Sequence, residues 1–187
     1  MAIELSNVTF TEQDDVVPAS GVEKILNTGI ANTLAGDDII NGESGNLIPT
    51  SGPQENVAIL NTGTLNTDGG SDRITGTYND QSNIRIYRGY GIYNVKGVID
   101  TGDGNDIFMG LININSSDSN VSGIYNVEGV IDTGEGDDTI IGTDNSTEGD
   151  FWSYGFYNES GTLNTGNGND LITGNGKDLG IFTPRSS

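Results

Sequence analysis

The chain repeats itself, and a chain made of short repeats buries its apolar side chains only by stacking one copy on the next. Asp132–Gly142 reads Asp-Thr-Gly-Glu-Gly-Asp-Asp-Thr-Ile-Ile-Gly. Asp100–Gly110 reads Asp-Thr-Gly-Asp-Gly-Asn-Asp-Ile-Phe-Met-Gly, and Asn164–Gly174 reads Asn-Thr-Gly-Asn-Gly-Asn-Asp-Leu-Ile-Thr-Gly. Two looser copies precede them, at Asn66–Gly76 and Asn32–Gly42. The aspartate that ends each turn falls at Asp38, Asp72, Asp106, Asp138 and Asp170, at intervals of 34, 34, 32 and 32 residues. Two more columns keep step with it: Gly29, Gly63, Gly97, Gly129 and Gly161, and Thr33, Thr67, Thr101, Thr133 and Thr165. Upstream, Gly91-Ile-Tyr-Asn94, Gly123-Ile-Tyr-Asn126 and Gly155-Phe-Tyr-Asn158 correspond, with Ile25-Leu26 and Ile59-Leu60 standing in for the Tyr-Asn pair. Length varies between the last glycine of a motif and the next upstream glycine, so that Ser-, Asn- and Asp-rich stretch reads as a surface loop.

Within a copy the pattern is strand, turn, strand. Gly129-Val-Ile-Asp-Thr133 is short and β-branched, Gly134–Asp138 is a turn, and Thr139-Ile-Ile-Gly142 is strand again. No stretch holds the 3.6-residue periodicity of an amphipathic helix. The expected fold is all-β, a parallel β-solenoid of about five repeats, with Ile131 over Ile99 and Leu163, and Ile140 over Phe108 and Ile172. Stacked Asn and Thr columns would hydrogen-bond between coils. A single solenoid domain is expected over 21–175, with 1–20 as an N-terminal cap and 176–187 as a C-terminal tail. One long coil per repeat keeps the motif turns in register and lets the loop absorb length changes; two coils of about 16–17 residues per repeat are the alternative.

Composition narrows the chemistry. The chain holds 27 acidic and 7 basic residues, a formal net charge of −20, with no His and no Cys. Nucleic acid and anionic membrane surfaces would be repelled, and thiol nucleophiles, imidazole bases and the usual zinc sites are excluded. The 29 glycines mark tight turns rather than disorder, since only 4 prolines accompany them. No apolar run reaches membrane-spanning length, and no cleavable signal peptide is visible at the amino terminus.

The turn Gly-x-Gly-x-Asp, followed two residues later by a large apolar residue, resembles the nonapeptide of the hemolysin-type calcium-binding, or repeats-in-toxin, family. Gly102–Asp106, Gly134–Asp138 and Gly166–Asp170 carry it in full, with Phe108, Ile140 and Ile172 as apolar anchors. The resemblance implies calcium held between successive turns by aspartates and glycine-region carbonyls. It nominates Asp106, Asp138 and Asp170, then Asp72 and Asp38, together with Gly102, Gly104, Gly134, Gly136, Gly166 and Gly168. A hard cation that takes six to eight oxygens suits such turns, because glycine reaches the backbone angles that turn carbonyls inward. The early copies depart from the pattern: Leu34 and Ala35 occupy the first glycine and its neighbour, and Asp68 replaces glycine in the second copy. The motif also recurs once per 32–34 residues here, not once per nine.

The resemblance implies a non-enzymatic, calcium-stabilised module of a secreted or surface-associated bacterial protein, exported without a cleaved signal and folding where calcium is plentiful; a cytoplasmic place is the alternative. An adhesin-like solenoid binding carbohydrate, extracellular polysaccharide or matrix is the second reading, and a polysaccharide-active β-helix enzyme the third. Catalysis on such a scaffold needs unrepeated residues, whereas these acids lie in repeated columns. Solvated turn carboxylates with no ligand are the plain structural reading of the same residues. Arg85, Tyr87, Arg88 and Tyr90 read as a solvated or packed loop. Phe151, Trp152, Tyr154, Phe156 and Tyr157 read as a loop covering the final coil, with sugar binding the alternative, and Tyr93, Tyr125 and Tyr157 as a structural ladder.

Overall fold

The computed structural model describes residues 2–19, 21–45, 56–81, 88–115, 120–147 and 152–184. Arg85, Tyr87 and Phe151 lie outside them. The chain opens with β1 (Ala2–Glu4), a 3₁₀ turn (Leu5–Asn7) and β2 (Val16–Val17). The first coil is β3 (Lys24–Asn27), β4 (Ile30–Asn32) and β5 (Ile39–Gly45); the second is β6 (Val57–Asn61), β7 (Thr64–Asn66) and β8 (Arg73–Asp80). The third is β9 (Arg88–Val95), β10 (Val98–Asp100) and β11 (Ile107–Ile114), and the fourth β12 (Asn120–Val127), β13 (Val130–Asp132) and β14 (Thr139–Asp144). The fifth is β15 (Ser153–Glu159), β16 (Thr162–Asn164) and β17 (Leu171–Asn175), followed by β18 (Leu179–Phe182).

These strands form three parallel sheets. The first runs β1-β3-β6-β9-β12-β15-β18, the second β4-β7-β10-β13-β16, and the third β2-β5-β8-β11-β14-β17. Ile131 pairs with Ile99 and Leu163, and Ile140 with Phe108 and Ile172. Each repeat is therefore one coil. The interior is three aligned apolar columns, Ile25-Ile59-Ile92-Ile124-Phe156, Ala31-Leu65-Ile99-Ile131 and Ile40-Ile74-Phe108-Ile140, all buried in one cluster. Each such isoleucine contributes about 1.5–3 kcal/mol by leaving water, and each packs on its counterpart one coil away. The ends differ. Leu5, Phe10 and Val17 are buried in that cluster at the first coil, whereas Leu171, Ile172, Leu179 and Ile181 of the last elements remain exposed.

Each corner between sheets has its own device. Between the first and second sheets, the buried amides Asn27, Asn61, Asn94, Asn126 and Asn158 form a ladder, each Nδ2 donating to the next Oδ1 at 2.8 Å. A Cβ on Gly97 would lie 2.5 Å from Asn61 Nδ2, so the glycine column beside the ladder leaves room for it. This corner also varies in length. Leu60 pairs with Tyr93 and Asn61 with Asn94, so Ile59-Leu60 aligns with Ile92-Tyr93 and not with a Tyr-Asn pair. The later coils carry one more residue here, Lys96, Glu128 and Ser160, each at positive φ (56°, 51° and 57°). This length change falls, as expected, between the last glycine of a motif and the next upstream glycine, at a corner and not in the loop.

At the junction of the third and first sheets, glycine faces glycine. A Cβ on Gly110 would stand 2.1 Å from the Gly123 carbonyl oxygen, and one on Gly142 2.1 Å from that of Gly155. The stretch expected to be loop is partly strand: β8 and β11 run on past Gly76 and Gly110, and β9 and β12 begin before Gly91 and Gly123. Outside the glycine contact these extensions carry a second small core of Tyr78, Ile112, Ile114 and Val121. Arg88 and Tyr90 start β9, and Tyr154, Phe156 and Tyr157 belong to β15, so these side chains are strand residues rather than loop residues. Phe156 fills the main core, while Tyr93, Tyr125 and Tyr157 stack outside it, with ring centroids 5.1 and 4.8 Å apart.

The glycine contact is a steric demand that a single methyl violates. Gly110→Ala is expected to cost about 3 kcal/mol or more and to lower the melting temperature by roughly 6–12 °C. Gly69→Ala, whose Cβ would find its nearest neighbour, Asp103 O, at 3.8 Å, is expected to shift it by less than about 2 °C. Thermal denaturation of the two variants side by side checks both.

Candidate functional site: an internal aspartate column

The motif turns join the second sheet to the third. In every coil the first turn position adopts positive φ: Leu34 72°, Asp68 59°, Gly102 81°, Gly134 74° and Gly166 62°. The second does so at Gly36, Gly70, Gly104, Gly136 and Gly168, between 128° and 157°. The degenerate early copies therefore keep the shape of the turn, with Leu34 and Asp68 bearing a strain of about 1–2 kcal/mol that glycine avoids. Stacking adds a second constraint on the glycines. A Cβ on Gly102 would lie 1.4 Å from Asp68 O, and Cβ atoms on Gly104, Gly136 and Gly168 1.5–1.7 Å from the carbonyl of the glycine one coil earlier. Gly134 and Gly166 are held by the same contact, at 1.8 and 1.7 Å.

The five motif aspartates share one column. Asp38, Asp72, Asp106 and Asp138 are no more than 2% exposed, and Asp170, in the last coil, is partly exposed. Their carboxylates face into the solenoid corner, not out of it. The Asp38 amide donates to Asp72 Oδ1 at 2.8 Å, Asp72 to Asp106 at 2.7 Å, Asp106 to Asp138 at 2.9 Å and Asp138 to Asp170 at 3.0 Å. One carboxylate oxygen of each thus serves a backbone amide that has no ladder partner in the turn. The other does not: Oδ2 of Asp38, Asp72, Asp106 and Asp138 is buried without a hydrogen-bond partner. The adjacent Thr33, Thr67 and Thr101 hydroxyls lie 3.4, 3.1 and 3.3 Å from the threonine carbonyl of the next coil, and their hydrogen bonds to the Asp38, Asp72 and Asp106 carboxyls oppose part of the desolvation.

A second ladder runs along the outside of the same turns, in the opposite sense. Ser71 N–H donates to Asp37 Oδ1, Asn105 to Ser71 Oγ, Asp137 to Asn105 Oδ1 and Asn169 to Asp137 Oδ1. The signal for it lies in the repeat alignment, where the residue before each motif aspartate is always Asp, Ser or Asn. Upstream, Asp100 and Asp132 each fold back onto the amide of the following glycine, Gly102 and Gly134, at 3.2 Å. The structure therefore brings all five aspartates and the six motif glycines to one edge.

Burial without a counter-charge makes three carboxyls of the column, Asp38, Asp72 and Asp106, weaker acids. Desolvation raises Asp38 above the ordinary carboxylate range and pushes Asp72 up to about 6 and Asp106 up to about 7. The carboxylates stacked above and below Asp106, Asp72 and Asp138, add to the effect. Protons or a cation would each relieve the repulsion between these carboxylates. The column's donor set is oxygen only, which suits a hard ion; among the described residues no three acidic side chains converge on one point, so the remaining ligands would be turn carbonyls. No family model, curated protein or solved structure matches the chain.

The sign of the pH effect follows. A carboxyl whose folded pKa lies above its unfolded value binds protons preferentially in the folded state, so its stabilisation is complete near pH 4 and is lost as pH rises through its folded pKa. In chelator, the melting temperature is expected to fall between about pH 4 and 7.5, the window set by Asp72 and Asp106. Asp106→Asn, which keeps the acceptor for the Asp72 amide, should flatten that decline. A variant with the same slope as the parent would show that Asp106 does not titrate in this window.

Proposed function

We propose that the chain is a non-enzymatic calcium-binding β-solenoid module, stabilised by calcium along the Gly-x-Gly-x-Asp edge, in a secreted or surface-associated protein. One observation carries the calcium reading: the row of four buried carboxylate oxygens without a partner, at Asp38, Asp72, Asp106 and Asp138. A divalent cation supplies the positive charge that the column lacks. The chain's own part is to hold the aspartates in register, one strand spacing of about 4.8 Å apart, and to keep the turn carbonyls fixed through glycines that tolerate no side chain. Export and a place outside the cell follow from the family resemblance of the motif, and from the logic that an acidic chain of this kind resists collapse until a cation is present.

Protonation is the competing way to neutralise the column, and the two are separable. At pH 7.5, millimolar calcium is expected to raise the melting temperature relative to chelator, with magnesium a poor substitute because it dehydrates reluctantly. Asp138→Ala should weaken calcium binding more than Asp38→Ala, because complete motifs flank Asp138 on both sides. Identical melting in calcium and chelator would sink the reading, and equal losses from the two substitutions would overturn the ranking of the turns.

A further inference from the structure

The glycines at 91, 123 and 155 interrupt the alternation of β9, β12 and β15. Residues on either side of them consequently share the outer face of the first sheet: Tyr90 packs against Tyr93, and Tyr154 against Tyr157, with ring centroids 4.6 and 4.8 Å apart. Where the strand extensions meet this face, a cleft of about 360 Å³ opens. Its floor is the tyrosine ladder closed by Phe182; its rim is Arg88, Asn120 and Trp152. Tyr125 is fixed in the floor by its hydroxyl, which donates to Glu159.

The rim breaks the repeat. Arg88 pairs with Asn120, and Trp152 immediately precedes Ser153, the partner of Val121. The column two residues on, Tyr90, Ser122 and Tyr154, differs as well. Unlike residues meet in other columns too, as at Tyr78 between Ser44 and Ile112 or at Ile114 beside Asp80, but here a guanidinium, an amide and an indole stand in successive coils at the mouth of one cleft. Trp152 is 58% exposed and sits at φ 59°. A bulky residue in that conformation bears strain of about 1–2 kcal/mol, and its indole also stays in contact with water. Its ring stacks on that of Tyr154, centroids 6.3 Å apart, and is still 58% exposed at the cleft mouth, within reach of a ligand.

We propose that this cleft binds one or two rings of a neutral, β-linked, gluco-configured saccharide. The volume suits a mono- or disaccharide. In such sugars the hydroxyls are equatorial, which leaves both ring faces as flat C–H surfaces that lie against aromatic rings, while the hydroxyls at the edge meet donors and acceptors such as Arg88, Asn120 and Ser122. The net charge of −20 disfavours a polyanionic glycan, and the one cation on the rim acts as a hydrogen-bond fork for hydroxyls. The inference is independent of calcium at the aspartate column.

Trp152 is the only tryptophan of the chain, so its emission reports on this cleft alone. Titration with cellobiose and with N,N′-diacetylchitobiose is expected to shift or quench that emission saturably for at least one of them, with a dissociation constant of about 0.1–10 mM. Arg88→Ala, at the exposed rim, should weaken binding about fivefold or more, a change of about 1 kcal/mol. Trp152→Phe, followed by calorimetry, should retain weaker binding. Unchanged emission with both sugars up to about 50 mM, where a ligand of that affinity would saturate, overturns the proposal. So does undiminished affinity in Arg88→Ala, or a dimer in sedimentation that Trp152→Ser dissolves, which would assign the face to a second copy of the chain.

Discussion

In-register stacking makes every side chain the neighbour of its own counterpart one coil away, and this like-on-like contact governs the molecule. Residues that complement themselves prosper under it. Isoleucine packs on isoleucine. Asparagine, with a donor and an acceptor on one group, builds an unbroken buried chain from Asn27 to Asn158. Tyrosine stacks on tyrosine nearly coplanar, at 10° and 8°. Aspartate is the exception, since an ionised carboxylate accepts but cannot donate. Placed in the same kind of column, it takes its hydrogen bond from the backbone of the neighbouring coil and is left with a second oxygen and an uncompensated charge. The contrast between the asparagine and aspartate corners is therefore chemical, not architectural: the same stacking satisfies one and leaves the other in need of a positive partner.

The glycines enforce the register that produces this contrast. All three corners bring backbone within contact of backbone, at Gly110 against Gly123, at Gly102 against Asp68 and at Gly63 against Gly29; the last also sets glycine against the asparagine ladder. Slipping the stack by one residue would put a Cβ into each of these contacts. Register here is thus fixed by steric exclusion at the corners as well as by hydrogen bonding along the strands, which is how strands of only three residues, such as β10 and β13, stay aligned.

Much of this was legible in the sequence because the repeat converts one-dimensional spacing into three-dimensional neighbourhood. Ile99 over Ile131 and Phe108 over Ile140 follow from alignment alone, as does the choice of a solenoid. What the alignment could not carry was direction. The spacing that groups Asp38 with Asp72 and Asp106 says nothing about whether their carboxylates face water or the interior, and the turn conformation decides that. The Tyr-Asn alignment of the early copies failed by one position because the later coils carry an extra residue at Lys96, Glu128 and Ser160, a change too small to see against a variable loop next door. The strand character of Tyr78, Arg88 and Tyr90 was hidden for a similar reason: polar residues alternate with apolar ones there, but the stretch lies between elements of unequal length.

Where the repeats agree, their residues answer to stacking, and agreement is itself the explanation for most of the chain. Residues that serve something other than stacking must show as departures from the columns. The acidic edge departs little: its aspartates are repeated faithfully, as a device that acts on every coil must be. The Arg88, Asn120 and Trp152 rim changes residue type at every coil and borders the aromatic cleft. A linear array offers two kinds of place for function, a repeated edge that acts along its whole length and a single interruption that acts once. The two sites proposed for this solenoid are one of each, on different faces, so that a cation held at one edge would stiffen the frame on which the other presents its aromatic cleft.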